Sequence, residues 1–193
     1  MKIQPMSNAF TYVGLFLVSL VLGGCSFLPQ TSQETSKDPQ SQLLPTVTIA
    51  SDFEVGEPAP PFTTQTITGN PFNSSEYYGQ TAIVLDFWAG WCQFCLSEMP
   101  ELEKIHQSLG EEVLVVGIHR TETEFKEVGV GFAQELGATY LLVQDDGRLY
   151  QAANGIGMPV AVFIDKDGIV RRIKIGPKTA EQIQAIVGDL VAQ

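Results

Sequence analysis

Apolar and polar positions divide the chain into stretches of different kind. Residues 9–22 are apolar with few interruptions, and Gly23, Gly24 and Cys25 follow. From residue 26 to about 45 the chain turns to Gln, Ser, Thr and Pro. No apolar period survives there, so the stretch buries too little surface to fold and reads as a flexible tether. Beyond it the patterns of regular structure begin. Residues 62–68 and a Gly69-Asn70 turn predict an early hairpin. Residues 81–88 form a short apolar run, as in a central strand buried on both faces. From 93 to 109, Leu96, Met99, Leu102, Ile105 and Leu109 recur at helical spacing, and Gly110 closes the segment. Residues 113–118 predict a second buried strand. Thr121 and Glu124 have the spacing of a capping box. Phe125, Val128, Phe132 and Leu136 then continue one helical face, weakened by Gly129 and Gly131. Residues 140–143 are another strand, and 160–164 and 169–175 flank a hairpin turn at 165–168. Thr179 and Gln182 cap a last helix whose Ile183, Ile186, Val187 and Leu190 face inward.

This order of elements is α/β: a hairpin extension, then strands alternating with helices, then a hairpin that makes the central sheet mixed. Helices are expected to flank the sheet on both sides. The folded domain is expected at 46–193, after a signal segment at 1–24 and a tether at 25–45.

The N-terminus has the parts of an address. Lys2 is the only charged residue before Glu34, and it precedes the apolar stretch. A basic start, a short apolar core and small residues ahead of a cut site make a secretory signal. The core is shorter than the ~20 apolar residues of a membrane span. Leu22-Gly23-Gly24-Cys25 resembles the bacterial lipoprotein cleavage box, which implies that Cys25 becomes the lipidated first residue. The alternative is an uncleaved signal anchor reaching about Leu28. Either reading places the body of the chain outside the cytoplasm, tethered to a membrane.

Charge narrows the partners. Eleven basic residues stand against twenty-two acidic ones, a formal net charge of −11. Such a surface is a poor match for nucleic acid or for an anionic bilayer face; its plain reading is solubility, and beyond that it favours a partner protein with a basic surface.

Three cysteines require two explanations. Cys25 belongs to the N-terminal stretch, whereas Cys92 and Cys95 sit where a buried strand passes into a helix. Backbone N–H groups and the macrodipole at a helix start favour negative charge, so a thiolate forms there at lower pH. The leading cysteine lies nearer that end, so Cys92 is expected to attack and Cys95 to resolve the mixed disulfide. Two structural readings compete. Half of a zinc site is one, but such a site needs about four Cys or His ligands. Only His106 and His119 are on offer, each read as a surface or packing residue, so no metal is expected. A purely structural disulfide is the other, although so short a loop adds little stability.

The segment from Asp86 through Trp91, Cys92, Gln93 and Phe94 to Cys95 resembles the thioredoxin active site. Its continuation through Glu98, Pro100 and Leu102 resembles the TlpA/ResA branch of exported, membrane-tethered thioredoxins. The resemblance covers roughly residues 54–191 and includes segments at 56–62 and 157–168. It implies a thioredoxin-like fold with Cys92 as nucleophile, Cys95 as buried resolving thiol and no cofactor beyond their disulfide. Pro159 would be the cis-proline facing that disulfide, with Met158 offering backbone to a substrate strand. Trp88 and Trp91 would pack beside the site, and Pro100 would be the proline that kinks the helix. Trp91, Gln93 and Phe94 would join Met158 and Pro159 in binding substrate. Asp86 matches the buried carboxylate of thioredoxin, where the branch often has Asn. A carboxyl group buried there should have a raised pKa and exchange a proton with Cys95. Its structural alternative is an acid holding two segments together. Glu98 is a tuning candidate, with a solvated helix residue as its alternative. Two departures matter: Gln93-Phe94 replaces the usual proline-containing dipeptide, and Met158 is an unusual neighbour for the cis-proline.

The function expected is an extracytoplasmic thiol–disulfide oxidoreductase, working as a protein-disulfide reductase. Its partners would be exported proteins and a membrane electron donor. By family analogy the haem-attachment thiols of apocytochrome c are a target. The alternatives are an oxidase or isomerase, a thiol peroxidase and a non-catalytic tethered binding module. The peroxidase would need a separately activated cysteine, for which the chain has no motif.

Overall fold

The computed structural model describes residues 46–192. The expected signal segment, Cys25 and the tether lie outside the described residues. The domain starts with β1 (Thr48–Ile49), β2 (Phe62–Gln65) and β3 (Pro71–Asn73), paired antiparallel in that order. The main body follows: β4 (Ala82–Trp88), α1 (Gln93–Leu109), β5 (Val113–Arg120), α2 (Lys126–Glu135), β6 (Leu141–Asp145), α3 (Arg148–Ala152), β7 (Val160–Ile164), β8 (Val170–Ile175) and α4 (Ala180–Val191).

Five strands form one mixed sheet in the order β6-β5-β4-β7-β8. β4 runs parallel to β5 and antiparallel to β7. Its central place explains its composition. Every residue of β4 is buried, so the Ile-Val-Leu run serves two faces at once. Alternation along the strand sends Ile83, Leu85 and Phe87 to one core, shared with Phe53, Phe62 and Leu149. Val84 and Trp88 go to the other, shared with Met99, Leu102, Ile183 and Leu190. Asp86 belongs by parity to this second face. Helices flank the sheet as expected: α1, α2 and α4 lie on the second face, and the short α3 on the first. There the three-stranded sheet supplies much of the cover.

Most elements fall where the sequence pattern puts them, α4 included. Thr179 and Gln182 form its capping box, and the four expected residues point inward. α2 departs from expectation. Its helix begins at Lys126, and Phe125 before it makes no side-chain cap. Thr121 instead donates to the Asp145 carbonyl at 2.7 Å, and Glu124 reaches the loop before Cys92. Phe125 and Val128 are 68% and 45% exposed, while the buried positions are Gly129 and Ala133. The reason is close approach. A Cβ on Gly129 would lie 2.2 Å from the His119 ring, so only glycine lets α2 reach the sheet. A second difference is α3, too short for a periodic signal. It is fixed from outside by Asp145, whose two oxygens accept from the Leu149 and Tyr150 amides at 3.0 Å each.

Candidate active site

The site begins where β4 ends. Ala89, Gly90 and Trp91 carry the chain from the sheet to α1, and Cys92 is the N-cap of that helix. Its sulfur accepts the Cys95 amide at 3.2 Å, placing it against the donors that a helix start leaves unpaired. Cys92 and Cys95 are joined as a disulfide. Both are nearly covered, at 5% and 0% exposure, with Cys92 the outer of the two. The Cys95 sulfur sits 3.9 Å from the Phe87 carbonyl.

The Met158–Pro159 peptide, whose Met158 lines the same groove as Cys92, is cis as expected. The Pro159 carbonyl accepts the Gly176 amide at 2.8 Å, tying this loop to the segment after β8. Trp91, Cys92, Gln93, Phe94, Gly157 and Met158 line a shallow groove of about 510 Å³, which Arg120 and Tyr150 complete. Trp91 and Phe94 are 52% and 59% exposed, so two aromatic faces stand beside the sulfur. Tyr150 lies under the Arg120 guanidinium, 3.6 Å from ring centre, and donates to the Gly157 carbonyl at 2.9 Å.

The inner side of the site is charged. Asp86 is fully buried on the face of β4 that carries Trp88, and Trp88 packs with both cysteines. Glu98, one turn beyond Cys95, is 3% exposed. That settles its environment: Glu98 is buried, and the solvated alternative fails. Between the two acids stands Lys178, which the sequence did not reveal as a site residue. Its ammonium lies 2.7 Å from Glu98 and 3.7 Å from Asp86. Its backbone amide donates to the other Glu98 oxygen at 2.6 Å. One lysine thus serves two buried carboxyl groups from separate elements.

Burial pushes the Asp86 carboxyl up to about 7, with Glu98 adding to the rise and Lys178 opposing it. Asp86 therefore gives up its proton near neutral pH. Tyr140 faces the same region, and burial holds its phenol well above the ordinary range, with Asp86 and Glu103 adding to it.

His119 proves to be a packing residue in a buried place. It stacks on Trp88 at 4.6 Å between ring centres, and burial lowers its pKa against the pull of Glu124. His106 stands apart from the site, edge-on to Tyr140 at 6.4 Å. Among the described residues no cluster of His, Cys, Asp or Glu has the arrangement to hold a metal ion, and no helix is long and apolar enough to cross a membrane.

A cysteine pair at a helix start, a cis X-Pro peptide whose Met158 lines the same groove and a fully buried carboxyl group are the features of a thioredoxin-like redox site. A family model described as AhpC/TSA matches residues 55–173, and the chain belongs to that family. It is 34% identical over 134 residues to the thiol-disulfide oxidoreductase ResA of Geobacillus thermodenitrificans, covering 67% of this chain and 74% of that one. To the thioredoxin-like protein YneN of Bacillus subtilis it is 28% identical over 133 residues, covering 68% and 78%. Among solved structures, a secreted disulfide oxidoreductase of Mycobacterium tuberculosis matches with a TM-score of 0.61 at 26% identity, over 67% of this chain and 96% of that one. The fold is thioredoxin-like, and the enzyme is a ResA-like thiol–disulfide oxidoreductase with a Cys-x-x-Cys site.

Proposed function

We propose that the protein is a membrane-tethered protein-disulfide reductase working outside the cytoplasm. The observation that carries this reading is the position of Cys92: N-cap of α1, outer member of the disulfide, and floor of an aromatic groove. In the reduced enzyme the Cys92 thiolate attacks a substrate disulfide. One S–S bond breaks, a mixed disulfide forms, and the first substrate thiolate leaves. Cys95 then attacks the Cys92 sulfur, passing its proton to Asp86 through a water. The second substrate thiolate departs, and the enzyme is left oxidised by two electrons. A membrane dithiol donor restores them.

Trp91, Gln93 and Phe94 receive the substrate on one side, and the backbone of Met158 beside Pro159 on the other. Glu98 and Lys178 hold the charge around Asp86. The N-terminal segment 1–24 is a lipoprotein-type signal, Cys25 carries the lipid, and residues up to 45 span the distance to the bilayer. The disulfide between the haem-attachment cysteines of apocytochrome c is the substrate that family analogy favours.

The test is the reduction potential of Cys92–Cys95, equilibrated against defined thiol buffers. A value at or below about −250 mV, near thioredoxin, supports a reductase. A value of about −120 to −180 mV reverses the direction of electron flow and makes the protein an oxidase or isomerase.

A further inference from the structure

The loop that delivers Cys92 is a single turn, closed by the Cys92 amide donating to the Ala89 carbonyl at 3.0 Å. Ala89 and Gly90 are buried, and Trp91 is the first residue to emerge. A buried Gly90 amide needs an acceptor, and the one it finds lies 34 residues away. Glu124 Oε1 accepts the Gly90 N–H at 2.6 Å, and the same oxygen is 2.6 Å from His119 Nε2. A carboxylate only accepts, so His119 carries its proton on Nε2 and donates. The histidine is held in turn. Trp88 stacks on one side of it, and Gly129 of α2 leaves no room for a side chain beside its ring.

The next residue is held from the same segment. Trp91 Nε1 donates to Thr123 Oγ1 at 3.1 Å, and that hydroxyl donates to the Arg120 carbonyl at 2.9 Å. Space at Gly90 is equally committed, since a Cβ there would meet Phe132 at 2.6 Å and Glu124 Oε2 at 3.1 Å. Both residues immediately before the nucleophile are therefore pinned from the stretch that follows β5. Neither Glu124 nor His119 lines the groove. Nothing in their placement is explained by thiol chemistry, and Glu124 lies outside the helix that its spacing in the sequence suggested.

We propose that Glu124, oriented by His119, is a positioning residue that fixes the Gly90–Trp91 loop and thereby sets the reactivity of Cys92. The inference rests on Cys92 being the attacking cysteine. Its physical content is pre-organisation: an attacking sulfur displaced by a fraction of an ångström loses much of its rate.

The test compares E124A with E124Q, because glutamine keeps an oxygen able to accept from Gly90 and His119. Each reduced variant is read two ways: the rate of Cys92 alkylation by iodoacetamide, which needs no protein substrate, and the rate of insulin disulfide reduction. Hydrogen exchange at the Gly90 amide reports the brace itself. Expected for E124A is a fall of about ten-fold in both rates, with Gly90 exchange faster and the β4 amides as protected as before. E124Q should return both rates to within about three-fold of the wild type. Wild-type alkylation and insulin rates in E124A overturn the proposal. Loss of β4 protection together with the rates, or no recovery in E124Q, also overturns it, since either makes Glu124 a general stability residue. An unaltered protein that alkylates at Cys92 but reduces no disulfide defeats the reductase reading and leaves the brace standing.

Discussion

Outside the Cys92–Cys95 disulfide, Trp91 and Phe94 are more than half exposed, whereas inside it Asp86, Glu98 and Lys178 are almost wholly buried. The outer side is apolar and open, which suits partners of many sequences. The inner side is ionic and closed, a costly arrangement that a stability argument alone does not justify. The two cysteines face these two surroundings in turn. The contrast in exposure and charge suits the two sides to different work. In the proposed mechanism, recognition and attack belong to the outside, and proton handling to the inside.

Each side can be broken separately, and the effects should differ in size and kind. Cys92→Ser removes the attacking sulfur and should lower insulin reduction by at least about a thousand-fold, with the fold unchanged by circular dichroism.

Lys178→Met strands two buried acids without their cation. It should destabilise the oxidised protein by about 3–5 kcal/mol in urea unfolding. It should also push Asp86 above its value of about 7, because the group that opposes the rise is gone.

Asp86→Asn should do the reverse to stability while slowing the resolving step by about ten-fold or more. The sign follows from the raised pKa. Below about pH 4 both folded and unfolded chains hold the proton. Between there and about 7 only the folded chain does, so Asp86 costs progressively more stability as pH rises, and above 7 the cost is complete. The asparagine variant should thus gain about 1–2 kcal/mol at pH 5 and up to about 4 kcal/mol at pH 8. Urea unfolding at those two pH values reads the difference.

The smallest effect belongs to the open side. Phe94→Ala should raise KM for a protein substrate about three-fold and leave stability within about 0.5 kcal/mol, since the ring is 59% exposed.

The outer half of the site was legible in the sequence, whereas the inner acids came only through a resemblance and Lys178 did not come at all. Cys92, Cys95, Gln93 and Phe94 are neighbours in the chain, and helical spacing placed α1 at the residues where it forms. Asp86 came through a resemblance, since nothing in a buried strand's pattern calls for a carboxylate. Lys178 carried no signal, because it meets Glu98 across 80 residues of sequence and lies just ahead of a well-marked helix cap. Glu98 was a tuning candidate through the same resemblance, but nothing in its helix position signalled burial, which its contacts with Lys178 explain. Glu124 shows the limit of local rules. It has the spacing of a capping residue, but a buried amide at Gly90 and the ring of His119 compete for the same oxygen and win. Gly129 failed as a sequence signal for a related reason: a helix-weakening residue is what lets α2 close on His119.

The most direct test of the division is to trap the enzyme halfway. Reduced Cys95→Ser protein is mixed with a disulfide substrate, the products are separated without reductant, and the attached cysteine is identified by mass spectrometry. A stable mixed disulfide on Cys92 is expected, with no comparable adduct on Cys95 in Cys92→Ser protein. An adduct forming equally well on Cys95 would contradict the account, because the inner cysteine would then be open to substrate.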